Sequence, residues 1–315
     1  MTERELLYVK TIAEEKSISK AAQKLFLTQP SLSKCIQKIE SDLGTKLFKR
    51  TNTGLLPTFA GERYYQIATD ILKIYNDFEI EVCDINNLKK GKITIGFTAN
   101  LATHLLPATL PPFKAAYPNI DVHIVEETST GLEKALSSGK IDFAVMHTNP
   151  FYDPINDSNI VYHLLYRDHF ILVTKKDHPL GRHAVEVPDS KHPRIDLTLF
   201  ANEPFILVSR GQRIRQMSDA ILQKANINPL IVLTTKSYET ARRLACEGIC
   251  VTLVPQQYVE IFTVAYSPAY YSIEDKYSPY WSVCVATQKN SYLSKAAQQF
   301  IKMLGEKCGC TTLES

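Results

Sequence analysis

The sequence lacks long apolar runs, and this absence excludes whole classes of protein. No stretch of its 315 residues approaches the roughly 20 apolar residues that a membrane-spanning helix needs. The first residues lead into an amphipathic segment and not into the apolar core of an export signal. We therefore expect a cytoplasmic protein with no membrane partner.

A regular cysteine pattern is missing too. The seven cysteines, an odd number at irregular spacing, do not predict a disulfide scaffold. Those in apolar-patterned segments are Cys35, Cys83, Cys246, Cys250 and Cys284. Buried, reduced thiols are the expected state of this group, and a redox switch is the alternative. Cys308 and Cys310 lack the second cysteine or histidine pair that a zinc site requires, so we expect no metal.

Signatures of catalysis are also missing. The chain has no P-loop, no dinucleotide-binding glycine pattern, no HExxH motif and no nucleophile elbow. Its serines, histidines and aspartates form no recognisable catalytic spacing. We expect no catalytic residues and no cofactor, and an enzyme with a two-lobed α/β fold is kept only as an alternative.

Positive charge is modest overall and concentrated at one end. The net charge is +3. Residues 1–60 hold ten Lys/Arg and six Asp/Glu, whereas the remainder holds 26 and 27. Such a localised surplus fits a module that reads nucleic-acid sequence better than a non-specific nucleic-acid coat.

The stretch Ser17–Arg50 predicts two short helices joined by a tight turn. Small alanines on the apolar stripe of the first helix permit a close approach of the second. Thr28 is the expected N-cap of the second helix, and Pro30 lies in its first turn. The apolar stripe of that helix consists of Leu32, Ile36, Ile39 and Leu43. Gly44 is expected to end it in a left-handed conformation.

The other faces of the second helix carry short hydroxyl and amide side chains beside lysines, which suits base edges and phosphates. The run QPSLSKCIQKIESDLGTKLFKRT, preceded by AAQKL and followed by LLPTFAG, closely resembles the winged helix-turn-helix DNA-binding domain of LysR-type transcriptional regulators. The predicted DNA-binding set is Thr28, Gln29, Pro30, Ser31, Ser33, Lys34, Gln37, Lys38, Arg50, Thr51, Asn52 and Thr53. A three-helix packing motif without a DNA partner is the alternative.

One long helix is predicted from Thr58 to about Leu88, because this stretch contains no internal proline. Its apolar side chains alternate steps of three and four, as in a coiled-coil seam. The predicted dimerisation seam is Tyr64, Ile67, Ile71, Ile74, Phe78, Val82 and Ile85. The resemblance makes this the linker helix that pairs two DNA-binding domains on an interrupted inverted repeat of double-stranded DNA. A helix lying on the core of its own chain is the alternative.

After a short hinge at 89–91, β-rich runs alternate with helix-like segments, which predicts a largely parallel sheet in two α/β lobes. The predicted strands are Lys92–Phe97, Ile120–Glu126, Ile141–His147, Phe170–Thr174, Phe205–Ser209, Ile231–Thr234, Val251–Val254 and Trp281–Thr287, and a helix from Leu293 to Gly305 closes the chain.

Residues 91–305 resemble the effector-binding domain of the same family, which has the two-lobed fold of type-2 periplasmic binding proteins. The resemblance rests on GKITIGF, on PATL and YP after the first strand, on SGKIDFA, and on EG followed by LVP. The implied domains are 1–58, 59–90 and 91–305 with a tail at 306–315, lobe I covering about 91–162 and 267–305 and lobe II about 163–266. Cys250 stands where the family often has glycine, and a side chain there could narrow or alter the ligand cleft.

Ligands of such folds bind between the lobes, at the carboxyl ends of strands where helix N-termini offer free N–H groups. The predicted effector contacts are Thr98, Ala99, Asn100, Thr128, Ser129, Thr130, His147, Thr148, Phe205, Val208 and Ser209. Thr98 and Ser129 could instead merely cap their helices. If one of Arg210, Arg213 and Arg215 turns inward, an organic anion is the expected effector, and a solvated arginine face is the alternative.

These patterns predict a multidomain protein, an all-α winged helix-turn-helix with a long linker helix joined to a two-lobed α/β effector-binding domain. The resemblance implies a ligand-responsive transcription factor that forms a homodimer or homotetramer and has RNA polymerase as a partner. A transporter's solute-binding protein shares the effector fold, but it should have a signal peptide and no DNA-binding domain, the reverse of this sequence.

Overall fold

The computed structural model describes residues 2–51, 54–85, 91–148, 159–188, 190–261 and 268–310. The chain divides into two compact units: an N-terminal unit of Met1–Gly91 with the short segments Ser137–Lys140 and Asn290–Lys295, and a C-terminal unit made of the remainder. Among the described helices, none is both long and apolar enough to cross a membrane. Residues 89 and 90 of the predicted hinge lie outside the described residues.

The N-terminal unit is a helical domain with a small hairpin. Its elements are α1 (Glu3–Glu15), α2 (Ile18–Lys24), α3 (Gln29–Leu43), β1 (Phe48–Thr51), β2 (Gly54–Pro57) and α4 (Phe59–Ile85). The predicted limits of α3 are confirmed. The Thr28 side chain accepts the N–H of Ser31 at 3.4 Å, and Gly44 ends the helix with φ of 67°.

One hydrophobic core joins the first three helices to the start of α4. Val9, Ile12 and Leu32 are among its fully buried members. The backbone of α4 comes very close to the chain before the hairpin, because a Cβ at Gly61 would lie 2.0 Å from the carbonyl oxygen of Leu47. Glycine is therefore required for α4 to pack in this position.

The predicted seam of α4 has two different surroundings. Tyr64 is buried in the core of the N-terminal unit, and Ile71 packs partly against the same core. The assignment of Tyr64 to dimerisation is therefore corrected, because its side chain already packs within its own chain. The exposed members of the seam are Ile67, Ile74, Phe78 and Val82. The side chain of Ile85 lies outside the described residues.

The C-terminal unit alternates strands and helices. Its first half contains β3 (Gly91–Phe97), α5 (Ala99–Ala116), β4 (Ile120–Glu126), α6 (Ser129–Ser137), β5 (Phe143–Thr148), β6 (Ile160–Lys175), β7 (Arg194–Ile195) and β8 (Pro204–Val208). Its second half contains α7 (Arg213–Lys224), β9 (Leu230–Thr235), α8 (Tyr238–Cys246), β10 (Thr252–Pro255), α9 (Tyr258–Ile261), β11 (Pro268–Ile273), β12 (Tyr280–Gln288) and α10 (Lys295–Lys307).

Its main sheet is mixed. Strands β3 and β5 pair in parallel, whereas β12 pairs antiparallel with both β5 and β6. Strands β10 and β11 also run antiparallel to β6. The prediction of a largely parallel sheet is therefore wrong. The parallel arrangement holds inside each lobe, as in β8 with β9, but the long strands linking the lobes run antiparallel to their neighbours.

The two lobes meet along β6 and β12. Residues 160–169 of β6 pair with β12, and residues 170–175 pair with β10 and β11. Tyr271 and Ile273 of β11 belong to the core of lobe II. The predicted return of the chain to lobe I at 267 is therefore corrected to the start of β12. The first ten residues of β6 were not predicted as strand, because charged residues such as Arg167 and Asp168 interrupt their apolar pattern.

Cys250 lies inside lobe II. Its side chain is 5% exposed and packs in a small apolar cluster with Ile206 and Ala241. Burial raises the pKa of the Cys250 thiol to about 11, so it remains protonated near neutral pH. The suggestion that a side chain at this position narrows or alters the ligand cleft is therefore replaced by a packing role inside lobe II.

Candidate functional site

The outer face of α3 carries the predicted DNA-contacting side chains. The exposed members of this set are Thr28, Gln29, Pro30, Ser31, Lys34, Gln37 and Lys38, and Ser33 is half-buried. Polar contacts hold the start of the helix in place: Ser19 donates to the Gln29 side-chain oxygen at 3.0 Å, and the hydroxyls of Thr28 and Ser31 lie 2.8 Å apart. The face therefore presents several hydrogen-bonding groups with two lysines beside them.

The hairpin of β1 and β2 forms the predicted wing. Arg50 is exposed on β1, and Thr51 donates to the carbonyl of Gly54 at 2.9 Å across the turn. Asn52 and Thr53, also predicted to contact DNA, lie outside the described residues. The wing thus keeps Arg50 on the surface of the same unit as α3.

Glu40 joins α3 to the wing, and sequence reasoning missed it. Its buried carboxylate accepts the N–H groups of Leu47 at 2.9 Å and Phe48 at 3.3 Å and pairs with Lys46 at 2.7 Å. Burial alone would raise the pKa of Glu40, but these donors together hold it below its ordinary value. The only sequence signal was an acidic residue on the apolar side of a helix in a basic region.

In lobe I, three of the predicted loops lie at one edge of the sheet. The N–H of Thr98, after β3, donates to the carbonyl of Val145 on β5 at 3.3 Å. The N–H of Glu127, after β4, donates to the carbonyl of Phe97 on β3 at 3.1 Å. The carboxyl ends of β3, β4 and β5 are therefore adjacent at this edge.

The hydroxyls at this edge have different partners. Thr98 precedes α5, but its side chain makes no capping bond, and its Oγ1 is buried without a partner among the described residues. Thr128 caps α6 by accepting the N–H of Gly131 at 3.2 Å. Ser129 is buried in the first turn of α6, while Ala99 and Thr130 are exposed. The capping alternative, which named Thr98 and Ser129, therefore fails for Thr98; at α6 the capping residue is Thr128, and Ser129 is the first residue of the helix.

His147 lies at the end of β5, where the two lobes meet. Its ring stacks on Trp281 of β12 with centroids 3.8 Å apart, and its Nε2 lies 3.4 Å from the hydroxyl of Tyr258. Burial, with a smaller contribution from the Arg213 guanidinium, lowers the pKa of His147 to about 3. The imidazole is therefore neutral, and its neighbour Thr148 has its hydroxyl 3.5 Å from the Cys284 sulfur.

Lobe II contributes Tyr258 and Arg213 to this region. Tyr258, the first residue of α9, is buried and also hydrogen-bonds the side chain of Asn100, so it contacts two predicted residues of lobe I. Arg213, the first residue of α7, donates to the carbonyl oxygen of His147 and to Glu133. Both side chains therefore reach from lobe II to lobe I.

The predicted residues after β8 have other surroundings. Phe205 and Val208 are buried in the core of lobe II, so their side chains pack within that lobe. Ser209 donates to the carbonyl of Thr235 at 3.1 Å. The expectation of ligand contact through the side chains of Phe205 and Val208 is therefore corrected, because these side chains pack inside lobe II. Tyr258 and Glu133, which were not predicted from the sequence, lie closer to the predicted residues of lobe I.

The geometry defines a class of protein: a winged helix-turn-helix domain followed by a two-lobed α/β domain with polar groups where its lobes meet. Residues 4–62 match the family described as bacterial regulatory helix-turn-helix protein, lysR family, and residues 86–309 match the LysR substrate binding domain. The chain therefore belongs to the LysR family of transcriptional regulators, which combine DNA-binding and effector-binding domains.

Individual relatives agree with this assignment. The chain is 28% identical over 308 residues to the uncharacterized regulator YcgK of Bacillus subtilis, covering 95% of this chain and 92% of that protein. It is 28% identical over 254 residues to the regulator CfxR of Cupriavidus necator, covering 81% and 75%.

Solved structures show the same fold. A full-length OxyR variant from Pseudomonas aeruginosa superposes with a TM-score of 0.72 at 21% identity, covering 100% of this chain and 99% of that one. Full-length BenM superposes with a TM-score of 0.57 at 23% identity, covering 98% and 97%.

Proposed function

We propose that α3 reads base edges in the major groove through Gln29, Ser31 and Ser33, while Lys34, Lys38 and Arg50 hold phosphates. The exposure of most of this set along one helix face and the adjacent wing supports the proposal. Short hydroxyl and amide groups make directional contacts with bases, whereas lysine and arginine are attracted to any phosphate. Sequence preference and salt dependence should therefore depend on different residues.

The test is DNA binding by fluorescence anisotropy at several salt concentrations, on sites found by genome-wide footprinting. Ser33→Ala should bind target and unrelated DNA more equally, with an unchanged salt slope. Lys38→Ala should weaken both alike and reduce the slope of log K against log salt by about 1. Equal slopes for Lys38→Ala and wild type would refute the phosphate role.

The proposed assembly is a dimer through α4 that extends to a tetramer through the C-terminal units. Four apolar side chains of α4 are exposed along its seam, from Ile67 to Val82. Strand β9 exposes a second apolar surface, with Leu230, Val232 and Leu233 each about half-exposed or more. A paired α4 would present two α3 helices to successive major grooves of an interrupted inverted repeat. The domain limits that we propose remain 1–58 for the DNA-binding domain, 59–90 for the linker helix and 91–305 for the effector-binding domain.

The effector is proposed to bind between the lobes, at the edge formed by the loops after β3, β4 and β5. The observation that carries this proposal is the buried Oγ1 of Thr98, which has no partner among the described residues. A buried hydroxyl without a partner costs about 1–3 kcal/mol, and a ligand that bonds to it removes that cost. Arg213 nearby favours an organic anion. The protein works in the cytoplasm, has no catalytic step of its own, and communicates with RNA polymerase.

Effector binding acts by shifting an equilibrium between arrangements of the assembly on DNA, by no more than its difference in affinity for the two. The test is a thermal-shift screen of aliphatic and aromatic mono- and dicarboxylates, with Thr98→Val as the variant and Thr103→Val on the exposed side of α5 as control. At least one acid should raise the Tm of wild type and of Thr103→Val, and raise that of Thr98→Val less. No shift in wild type would refute the anion class, and equal shifts in all three would remove Thr98 from the site.

A further inference from the structure

Arg213 connects the two lobes of the C-terminal unit directly. It is the first residue of α7 in lobe II, and it bonds Glu133 and His147, which belong to lobe I. Its Nη2 lies 3.0 Å from Oε1 of Glu133 on α6, and its Nη1 donates to the carbonyl oxygen of His147 on β5. One guanidinium therefore bonds two separate elements of the opposite lobe.

The ion pair is set up from the lobe I side. The hydroxyl of Tyr162 donates to the same Glu133 oxygen at 3.2 Å, so a residue of lobe I also helps to orient the carboxylate. The side chains of Arg213 and Glu133 are 15% and 27% exposed. Because both are mostly withdrawn from water, their attraction is less screened than that of a surface pair.

The contact lies beside the junction of the lobes. The ring of His147, whose carbonyl accepts from Arg213, packs between Trp281 on β12 and Tyr258 on α9. Trp281 is buried and donates from its ring nitrogen to Asp168 on β6 at 3.2 Å. The two strands that link the lobes, β6 and β12, are therefore connected through Trp281 to His147, the residue whose carbonyl accepts from Arg213.

We propose that Arg213 is an inter-lobe latch: a positioning residue that stabilises the observed arrangement of the lobes through Glu133 and the His147 carbonyl. Any rotation of one lobe against the other must break both contacts at once. Release of the latch opens the junction around Trp281. The latch operates in the chain without effector, so its test is independent of the effector proposal.

Trp281 is the single tryptophan of the chain and therefore reports on the junction without labelling. The experiment measures acrylamide quenching of its fluorescence in the full-length chain, without effector, for wild type, Arg213→Gln, Glu133→Gln and the double variant. Arg243→Gln is the matched control, because Arg243 pairs with Glu239 inside lobe II only. Thermal unfolding shows that each variant is folded.

Glu133→Gln should increase the quenching constant about fivefold, which corresponds to a population shift of about 1 kcal/mol, and Arg213→Gln, which also loses the bond to the His147 carbonyl, should increase it at least as much. The double variant should quench no more than Arg213→Gln alone, because that variant has already lost the ion pair that Glu133→Gln breaks. The control should match wild type. Wild-type quenching in folded Glu133→Gln, or additive effects of the two changes, would overturn the proposal. If Arg213→Gln fails to fold, Glu133→Gln alone tests the latch, because its side chain keeps the size of Glu133 and a neutral acceptor at the same place but removes the charge.

Discussion

The buried histidine at the lobe junction leads to a quantitative prediction about pH. The pKa of His147 falls from its ordinary 6.5 to about 3, first through burial and then through Arg213. The folded chain therefore resists protonation of this ring, whereas the unfolded chain accepts a proton below about pH 6.5. The free energy of unfolding should fall as the pH decreases through this window, and the loss should continue until the pH reaches about 3.

The size of the effect follows from the two pKa values. At pH 8 the ring is neutral in both states and contributes nothing. At pH 5 the unfolded ring is almost fully protonated and the folded ring is not, which lowers the free energy of unfolding by about 2 kcal/mol. Other groups also titrate over this range, so the measurable quantity is the difference between wild type and a variant that cannot titrate at this position.

His147→Phe keeps an aromatic ring against Trp281 and removes the titration. Urea unfolding, followed by Trp281 fluorescence, should give a variant that is less stable by a constant amount from the lost Tyr258 contact. Between pH 8 and pH 5 it should lose about 2 kcal/mol less than wild type. His123→Phe, at an exposed position on β4, is the control and should behave as wild type. Equal pH slopes for wild type and His147→Phe would refute the assignment of a neutral buried imidazole.

Three further predictions concern the N-terminal unit. Glu40→Gln should increase hydrogen exchange at the first amides of β1 by about 10-fold or more, since charge-assisted bonds worth about 1.5–3 kcal/mol become neutral ones, while the exposed Asp42→Asn should not. Gly61→Ala should lower the stability of this unit by about 1–3 kcal/mol in calorimetry, because its Cβ meets a backbone carbonyl; an unchanged unfolding temperature would contradict this. Phe78→Ser should weaken the assembly measured by light scattering, since a buried phenylalanine contributes about 1.5–3 kcal/mol per copy, whereas Glu79→Gln should leave the mass unchanged.

Much of the N-terminal unit could be predicted because its signals are local. The cap at Thr28, the proline after it and the left-handed Gly44 each act within a few residues, and all three are in the structure. The role of Tyr64 was not predictable from spacing. A helical stripe of apolar residues fits a partner helix and the chain's own core equally well, and only the tertiary packing assigns Tyr64 to the core.

The C-terminal unit was predictable as an alternation of strands and helices but not in its pairing. Strand β6 continues through Arg167, which is exposed, and Asp168, which is buried. The Asp168 carboxylate can be buried because it accepts hydrogen bonds from the ring nitrogen of Trp281 and from the backbone N–H of Gln257. Those partners are far away in sequence, so no local pattern shows that the carboxylate will be satisfied. The antiparallel link between the lobes was missed for this reason.

The three arginines after β8 lie in different surroundings, and these surroundings decide which of them can contact an effector. Arg213 and Arg215 are two positions apart on α7, so they point to opposite sides of the helix. Arg215 turns into lobe II, where it bonds Asp219 at 2.8 Å and the carbonyl of Val208 at 3.1 Å, and Arg210 is exposed. Of these three cations, Arg213 is the one that meets lobe I, and it does so already paired with Glu133. An anionic effector must therefore compete with a carboxylate of the chain itself. Glu133→Gln should then strengthen the binding of such an effector even as it loosens the lobes, whereas an effector that does not contact Arg213 should bind the variant with no such gain.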